Sequence, residues 1–419
     1  MAKKQLGRRE FVGQAAAAGF GALALSPAAR VLGANDRVRL GIIGAGARGQ
    51  DLIAQALKLP QVELVAVADV YARRHDEVRR VVPGVRAFTD HHKLLDLKDV
   101  DAVLVASPLH CHARHFLDTI AAGKDLYAEK TMTWSLAEAD ACHTAAARSD
   151  RVIQIGLQHV STGAFADARQ WIKDGLVGKV TSVESWMSRN TPRGHGQWVR
   201  PVPSDCTADW VAWDLFLNGR PPRPFDGYRF INWRLFWEFS GGNVTENMVH
   251  QMSWIMGVLD LPLPTAAYMS GGIYSEKDGR EVPDTIAVTL DFPNDLLVTW
   301  HSTFSNSHYG LGERVLGSQG TIERLSGSTD MVTGRLQSGW HLYPERANSA
   351  GGATLVGQAP DQDHMGNFID CVRSRKQPNA PVEIGYRSAV AAHMANLAYR
   401  EKRRVTLEAA LSSVGARNG

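Results

Sequence analysis

The stretch Val38-Arg39-Leu40-Gly41-Ile42-Ile43-Gly44-Ala45-Gly46-Ala47-Arg48-Gly49 decides the fold. Its first half is a short β-branched run, and its second half is Gly-x-Gly-x-x-Gly. A helical stretch from Asp51 to Leu57 follows, then a second apolar run, Val62 to Ala68, which stops at Asp69. Glycines between a strand and a helix, with an acid twenty residues past the last one, form a dinucleotide fingerprint. Gly44 permits the tight turn. Gly46, with Ala47 and Arg48 in the same cradle, lets the backbone approach a pyrophosphate, and Gly49 lets the helix pack close to the strand. The helix N-terminus offers its N–H groups and positive dipole end to the phosphates. Asp69 is expected to accept ribose hydroxyls, which favours NAD over NADP; Arg73 and Arg74 just downstream weaken that preference and keep NADP possible.

Further strands follow at the pace of a doubly wound sheet. Asp101 to Ala106 is a near-continuous apolar run, as in a strand buried on both faces, and it ends in Ser107-Pro108-Leu109-His110-Cys111-His112. A helix from His115 to Ala122 leads to a strand, Asp125 to Ala128, ending at Glu129-Lys130. Ligands of open α/β sheets lie beyond the carboxyl ends of the strands, which places Ser107, Pro108, His110, Glu129 and Lys130 at the cofactor crevice. Lys130 follows an apolar strand tip, and desolvation there lowers a lysine pKa toward acid/base use.

The chain has 419 residues, enough for about two domains. With 44 % hydrophobic and 21 % charged residues it builds an ordinary core, which excludes disordered and coiled-coil classes. Residues 35–419 carry 41 basic against 42 acidic side chains, so the body has no electrostatic footprint for nucleic acid. The four cysteines are scattered, with neither a disulfide framework nor metal-like spacing, and no metal is expected.

The basic surplus lies in residues 1–34. Lys3-Lys4 and Arg8-Arg9-Glu10-Phe11 precede a charge-free, Ala/Gly-rich stretch to Ala29, with small residues at Gly33-Ala34. That is the pattern of a twin-arginine export signal, so a periplasmic or otherwise exported location is expected. No other segment reaches about 18 uninterrupted apolar residues, and no membrane span is expected after signal removal.

The second half is richer in tryptophan. A helix from Ala164 to Gly175 precedes a strand from Lys179 to Met187, then a polar and aromatic loop through Arg189, Asn190, Arg193, His195 and Trp198. Trp233-Arg234 and Trp237-Glu238 follow. Aromatic faces cover the C–H side of a pyranose while charged groups bind hydroxyls, so Arg193, His195, Trp198, Trp233 and Arg234 are candidate substrate-binding residues. Individually, each tryptophan has at least equal claim to a place in the core. Val244 to Leu259 reads as a helix with Glu246 and His250 at i and i+4, where the carboxylate raises the imidazole pKa and suits it to proton transfer. Alternating strands at Thr285 to Asp291 and Leu297 to Thr303 read as an antiparallel meander, residues 326–362 as Gly/Ser-rich loops, and Ala389 to Lys402 as the closing helix.

The combination of GAGARG, SPLHCHARH, YAEKTMTW and GGNVTENMVHQMSW resembles the glucose–fructose oxidoreductase/inositol dehydrogenase family (Gfo/Idh/MocA), from about Val38 almost to the C-terminus. The stretch NFIDCVRSRKQPNAPVEIGYRSA looks like its secreted members. The resemblance implies an α/β chain: a signal over 1–34, an N-terminal Rossmann doubly wound parallel sheet over 35–157, and a C-terminal α/β domain with a large open, mainly antiparallel sheet over 158–419. It also implies a homo-oligomer formed through that sheet, NAD(P) at the junction of the two domains, and chemistry on a sugar or polyol. Lys130 falls on the family's active-site lysine, and Glu246 and His250 on its Asp-x-x-x-His motif, with His250 as acid/base. Thr131 replaces the family's proline after that lysine, which predicts a different local backbone, since a cis bond before a non-proline costs about 3–4 kcal/mol. Glu246 replaces the family's aspartate, which shifts the carboxylate by about a bond length.

The expected activity is hydride transfer between a carbinol carbon and nicotinamide. Export adds a constraint, because free nicotinamide cofactor is scarce outside the cytoplasm. A tightly bound cofactor regenerated within the cycle is therefore expected, either by oxidising one sugar and reducing another or in a redox-neutral glycosidase or lyase working through a transient 3-keto sugar. A non-enzymatic sugar-binding protein on a retained Rossmann fold is a third possibility, against which Lys130 and His250 argue.

Overall fold

The computed structural model describes residues 37–191, 196–329, 335–345 and 353–415. The signal-like segment therefore lies outside the described residues. Strands β1 (Val38–Ile43), β2 (Val62–Ala68), β3 (Arg86–Phe88), β4 (Ala102–Val105), β5 (Asp125–Glu129) and β6 (Ile153–Gly156) form one sheet in the order β3-β2-β1-β4-β5-β6. Every pairing in it is parallel. All four residues of β4 are buried, as their unbroken apolar run requires. The order reverses between β1 and β4, and a crevice opens at their carboxyl ends.

The second sheet has nine strands: β7 (Val180–Ser188), β8 (Ala266–Gly272), β9 (Thr285–Phe292), β10 (Leu296–Thr303), β11 (Leu311–Gly317), β12 (Gly320–Thr329), β13 (Leu336–Pro344), β14 (Leu355–Val356) and β15 (Val405–Thr406). Their order is β14-β13-β12-β11-β7-β10-β9-β8-β15. All neighbours are antiparallel except β7 and β10, so the expected meander is a mixed sheet with one parallel joint at its centre. Period-two alternation decides which face is covered. On β10, Leu296, Val298 and Trp300 are buried, and Leu297 and His301 are exposed. The buried face joins Met252 and Ile255 of the helix Val249–Val258 and Val390 and Met394 of the helix Val382–Glu401 in one core.

Three expectations change. The Gly/Ser-rich stretch 326–362 holds the end of β12 and all of β13 and β14; small residues still pair along an edge when a few apolar ones, Leu342 among them, reach the core. The long C-terminal helix does not close the chain, because β15 and a helix, Leu407–Gly415, follow it. Val244–Met248 is a π-helical turn that leads into the α-helix Val249–Val258.

One segment crosses between the halves. The helix His364–Ser374 lays Met365, Phe368, Ile369 and Val372 against Val38, Leu40, Ile42 and Leu64 of the parallel sheet. Arg375, just past its end, pairs with Asp125 at the start of β5.

Candidate active site

The site begins at the turn after β1. Gly44 has φ +88°, and a Cβ there would lie 2.6 Å from the Ser107 amide nitrogen. A Cβ on Gly49 would meet the Gly44 carbonyl oxygen at 2.2 Å, so the helix rests directly on the turn. Around Gly46, in contrast, 4 Å of space is empty, and that edge opens onto a trough. The trough is two adjoining cavities that share Gly44, Asp69, Pro108 and Phe216. One runs past Ser107 to His91 and His115, and the other past Ala47 and Arg48 to Trp233 and Arg234. A bare backbone edge at a helix N-terminus with a carboxylate beside it fits a dinucleotide.

Asp69 ends β2 and accepts from the Ala45 amide at 2.7 Å and the Tyr71 amide at 2.9 Å. Burial pushes its pKa up, against those two hydrogen bonds. The carboxylate thus braces the glycine turn while it faces the trough. Arg73 is bonded to Glu77 and Asp205, and Arg74 to Glu77, so both arginines are already committed to acids.

At the other end, β5 delivers Glu129 and Lys130. The Lys130–Thr131 bond is cis even without the family's proline, contrary to the expected departure. Lys130 Nζ donates to the Glu246 carbonyl at 2.9 Å and to its Oε2 at 3.3 Å, and Arg234 Nε donates to the same oxygen at 2.9 Å. Burial opposes ionisation of Glu246, but Lys130 and Arg234 hold it below the usual carboxylate range. Arg48 Nε bonds Glu129 at 2.8 Å. His112, fully buried, sets one ring nitrogen 2.6 Å from the Thr131 carbonyl and the other 2.8 Å from the Ser107 carbonyl. It thereby joins the end of β4 to the lysine loop.

His250 is the second residue of its helix. Its Nδ1 is buried without a hydrogen-bond partner among the described residues, and its ring centre is 5.2 Å from that of His159. Burial, then the charges of Lys130, His159, Arg48 and Arg189, holds its pKa well below the ordinary histidine value. That reverses the rise expected from Glu246, whose carboxylate is engaged by Lys130 and Arg234 instead. His159 is itself held down to about 3, by burial first and then by Arg324, which lies 3.4 Å away and pairs with the buried Glu313. Gln251 Nε2 donates to Glu313 at 2.8 Å, and Trp300 Nε1 to Gln251 Oε1 at 2.6 Å, so a buried polar chain backs the imidazole.

Of the expected site residues, Gly44, Gly46, Ala47 and Arg48 of the glycine turn, Asp69, Ser107, Pro108, Trp233 and Arg234 line the trough, and Glu129 and Glu246 reach it through Arg48 and Arg234; others lie elsewhere. His110 is not a cofactor-facing residue: its ring is buried between Phe216 and Phe239, Nε2 lies 2.6 Å from the Phe216 carbonyl, and burial drives its pKa to about 3. Trp198 stands edge-on to Phe304 at 5.1 Å. Arg193 and His195 lie outside the described residues. His159, Arg189 and Arg324 were missed. His159 lies three residues past the carboxyl end of β6 and Arg189 directly follows that of β7, a position that could have marked both.

Residues 38–157 match the family model described as "Oxidoreductase family, NAD-binding Rossmann fold" (Gfo/Idh/MocA), and residues 218–407 its companion "C-terminal alpha/beta domain". The inositol 2-dehydrogenase of Acidothermus cellulolyticus is 33 % identical over 306 residues, which are 70 % of this chain and 74 % of that one. The inositol 2-dehydrogenase of Klebsiella pneumoniae strain 342 is 33 % identical over 150 residues, 34 % of this chain. The chain spans less than half the length, 43 %, of that curated relative. Among solved structures, the aldose–aldose oxidoreductase of Caulobacter crescentus, complexed with glycerol, shares the fold with a TM-score of 0.65 at 19 % identity, covering 88 % of this chain and all of that one.

Proposed function

The chain belongs to the Gfo/Idh/MocA oxidoreductase family, and from that premise we propose that it transfers hydride between a hydroxyl-bearing carbon of a sugar or polyol and a tightly held nicotinamide dinucleotide. The observation that carries this reading is the cluster of Lys130, Arg234 and Glu246 beside His250, which joins the glycine-edged trough through Arg234 in its lining. The nicotinamide ring, when bound, supplies the hydride acceptor. The protein supplies the proton chemistry. His250, held neutral, accepts the hydroxyl proton. Lys130 donates to the same oxygen as negative charge develops on it, and Glu246 and Arg234 fix the direction of that ammonium. Asp69, with both nearby arginines neutralised by acids, supports NAD over NADP.

Two further parts of the reading rest on sequence. The twin-arginine pattern supports export with the cofactor already bound, and replacing Arg8 and Arg9 by lysine is then expected to retain the protein in the cytoplasm. The open face of the nine-stranded sheet, with Tyr268, Leu297 and Tyr343 exposed, supports pairing with a second copy; light scattering showing a monomer would exclude this. Mass spectrometry of the denatured protein tests the central reading by identifying a released NAD. Nicotinamide absorbance should then rise with one sugar and fall with another. Aglycone release from a glycoside without net absorbance change would assign the redox-neutral reaction instead, and absence of any dinucleotide would refute both.

A further inference from the structure

Residues 205–219 follow β7 in the chain and lie across the glycine turn that opens the parallel sheet. On one side they are fixed to the segment just past β2. Tyr71 and Val211 form an antiparallel bridge there, in which the Ala72 amide donates to the Trp210 carbonyl at 3.0 Å and the Ala212 amide to the Val70 carbonyl at 2.8 Å. The Tyr71 ring is buried with Cys206 and Val211 and stands edge-on to Phe230 at 5.7 Å. Its hydroxyl donates to Asp205 at 2.6 Å. On the other side the segment is fixed past the end of β4. His110 Nε2 lies 2.6 Å from the Phe216 carbonyl, and Asn218 Nδ2 donates to the His110 carbonyl at 3.0 Å. β1 lies between β2 and β4 in the sheet, so the segment passes over its carboxyl end, and Phe216 lines both cavities of the trough. Trp213 stacks on Phe216, with ring centres 5.0 Å apart and 11° between the planes, which stiffens the crossing. These anchors also account for two residues expected near the cofactor. His110 turns away from the trough to hold the crossing segment, and Arg73 pairs with Asp205 at its start.

Ligands of open α/β sheets lie in a crevice outside the strand ends. Here that crevice has a second wall. A ligand lying along Gly44 and Asp69 shares its cavities with Asp214, Phe216 and Asn218 of the crossing segment. To lift that wall, one set of anchors must come apart as a unit. That exposes a large aromatic ring, or unpairs several buried polar groups together, so the opened form is rare. Resting on the dinucleotide reading above, we propose that residues 205–219 are a strap that locks the dinucleotide into the trough, so that one cofactor molecule stays through many turnovers. A cofactor regenerated within the catalytic cycle requires this retention, because every molecule lost must be replaced from outside.

Exchange of the bound cofactor tests the strap. The purified protein is mixed with excess isotope-labelled NAD, and mass spectrometry of the denatured protein follows the fraction replaced. The unaltered protein is expected to exchange with a half-life of about an hour or longer. Tyr71→Ala, which removes the ring from one set of anchors, should speed exchange about a hundredfold. Asn218→Gly should speed it about tenfold, because glycine keeps the left-handed backbone at that position (φ +49°) but loses the hydrogen bond to His110. If Tyr71→Ala does not fold, Asn218→Gly decides alone. Exchange complete within seconds in the unaltered protein overturns the proposal and needs no variant. So does a folded variant at either anchor that exchanges no faster than the unaltered protein. If labelled NAD enters slowly but no sugar changes the nicotinamide absorbance, the strap stands and hydride transfer fails. If sugars change the absorbance while the cofactor exchanges within seconds, hydride transfer stands and the strap falls. A protein that neither holds nor takes up a dinucleotide refutes both.

Discussion

The two ends of the trough are built from different materials. At the glycine end the ligand-facing surface is main chain: the open edge at Gly46, with Asp69 held by the Ala45 and Tyr71 amides. At the lysine end it is a set of side-chain charges, with Lys130 and Arg234 on Glu246, Arg48 on Glu129, and a neutral imidazole among them. A backbone cradle tolerates side-chain exchange wherever space is free, but not a Cβ where the chain touches itself. A charge network tolerates shape changes poorly, because each partner removed leaves another ion buried.

The largest effect should come from the charged end. His250→Asn is expected to lower kcat by about 10²–10⁴ while mass spectrometry finds the same amount of bound cofactor; loss of the cofactor as well would erase the division between the ends. Glu246→Gln leaves Lys130 and Arg234 facing each other without their carboxylate, and urea titration should show a loss of about 3–5 kcal/mol. At the backbone end, Gly49→Val drives a side chain into the Gly44 carbonyl and is expected to cost about 1–3 kcal/mol. Gly46→Val meets open space, so it should leave the unfolding midpoint of the cofactor-free protein unchanged while the cofactor content falls.

The smallest effect per group is a pH dependence. His110, His159, His364 and His393 are held at about 3 to 4 by burial, so the unfolded chain binds more protons than the folded one below about pH 6.5. Stability is present above that pH and is lost on acidification, by about 1.4 kcal/mol per pH unit for each group. Thermal melts between pH 7 and 5 check the slope. Separately, the acid limb of the rate profile should lie below pH 6.5, set by His250, and move upward when Lys130 is replaced by Met, because a neighbouring positive charge is then gone.

The same division governs what could be read in advance. The glycine turn, β1, β2 and Asp69 were legible because their constraints are local: a strand must end, a turn must pass without a Cβ, and an acid must follow at a fixed interval. Lys130, Glu246 and His250 were placed by motif, but their electrostatics were not, since the partner of Glu246 is a lysine 116 residues away rather than the imidazole one turn on. Cross-strand pairing of Glu313 with Arg324 is what sets the chain behind His159, and nothing at either position announces it. His110 misled because a histidine after a strand can turn inward as easily as outward, and here aromatic neighbours drew it in.

The helix His364–Ser374 has a consequence for anyone who would divide the molecule. Cutting after residue 157 would strip the apolar cover from Leu40, Ile42 and Leu64 and strand Asp125 without Arg375. The nucleotide-binding half released in this way should be sticky and poorly soluble, and the protein should melt in a single step rather than in two.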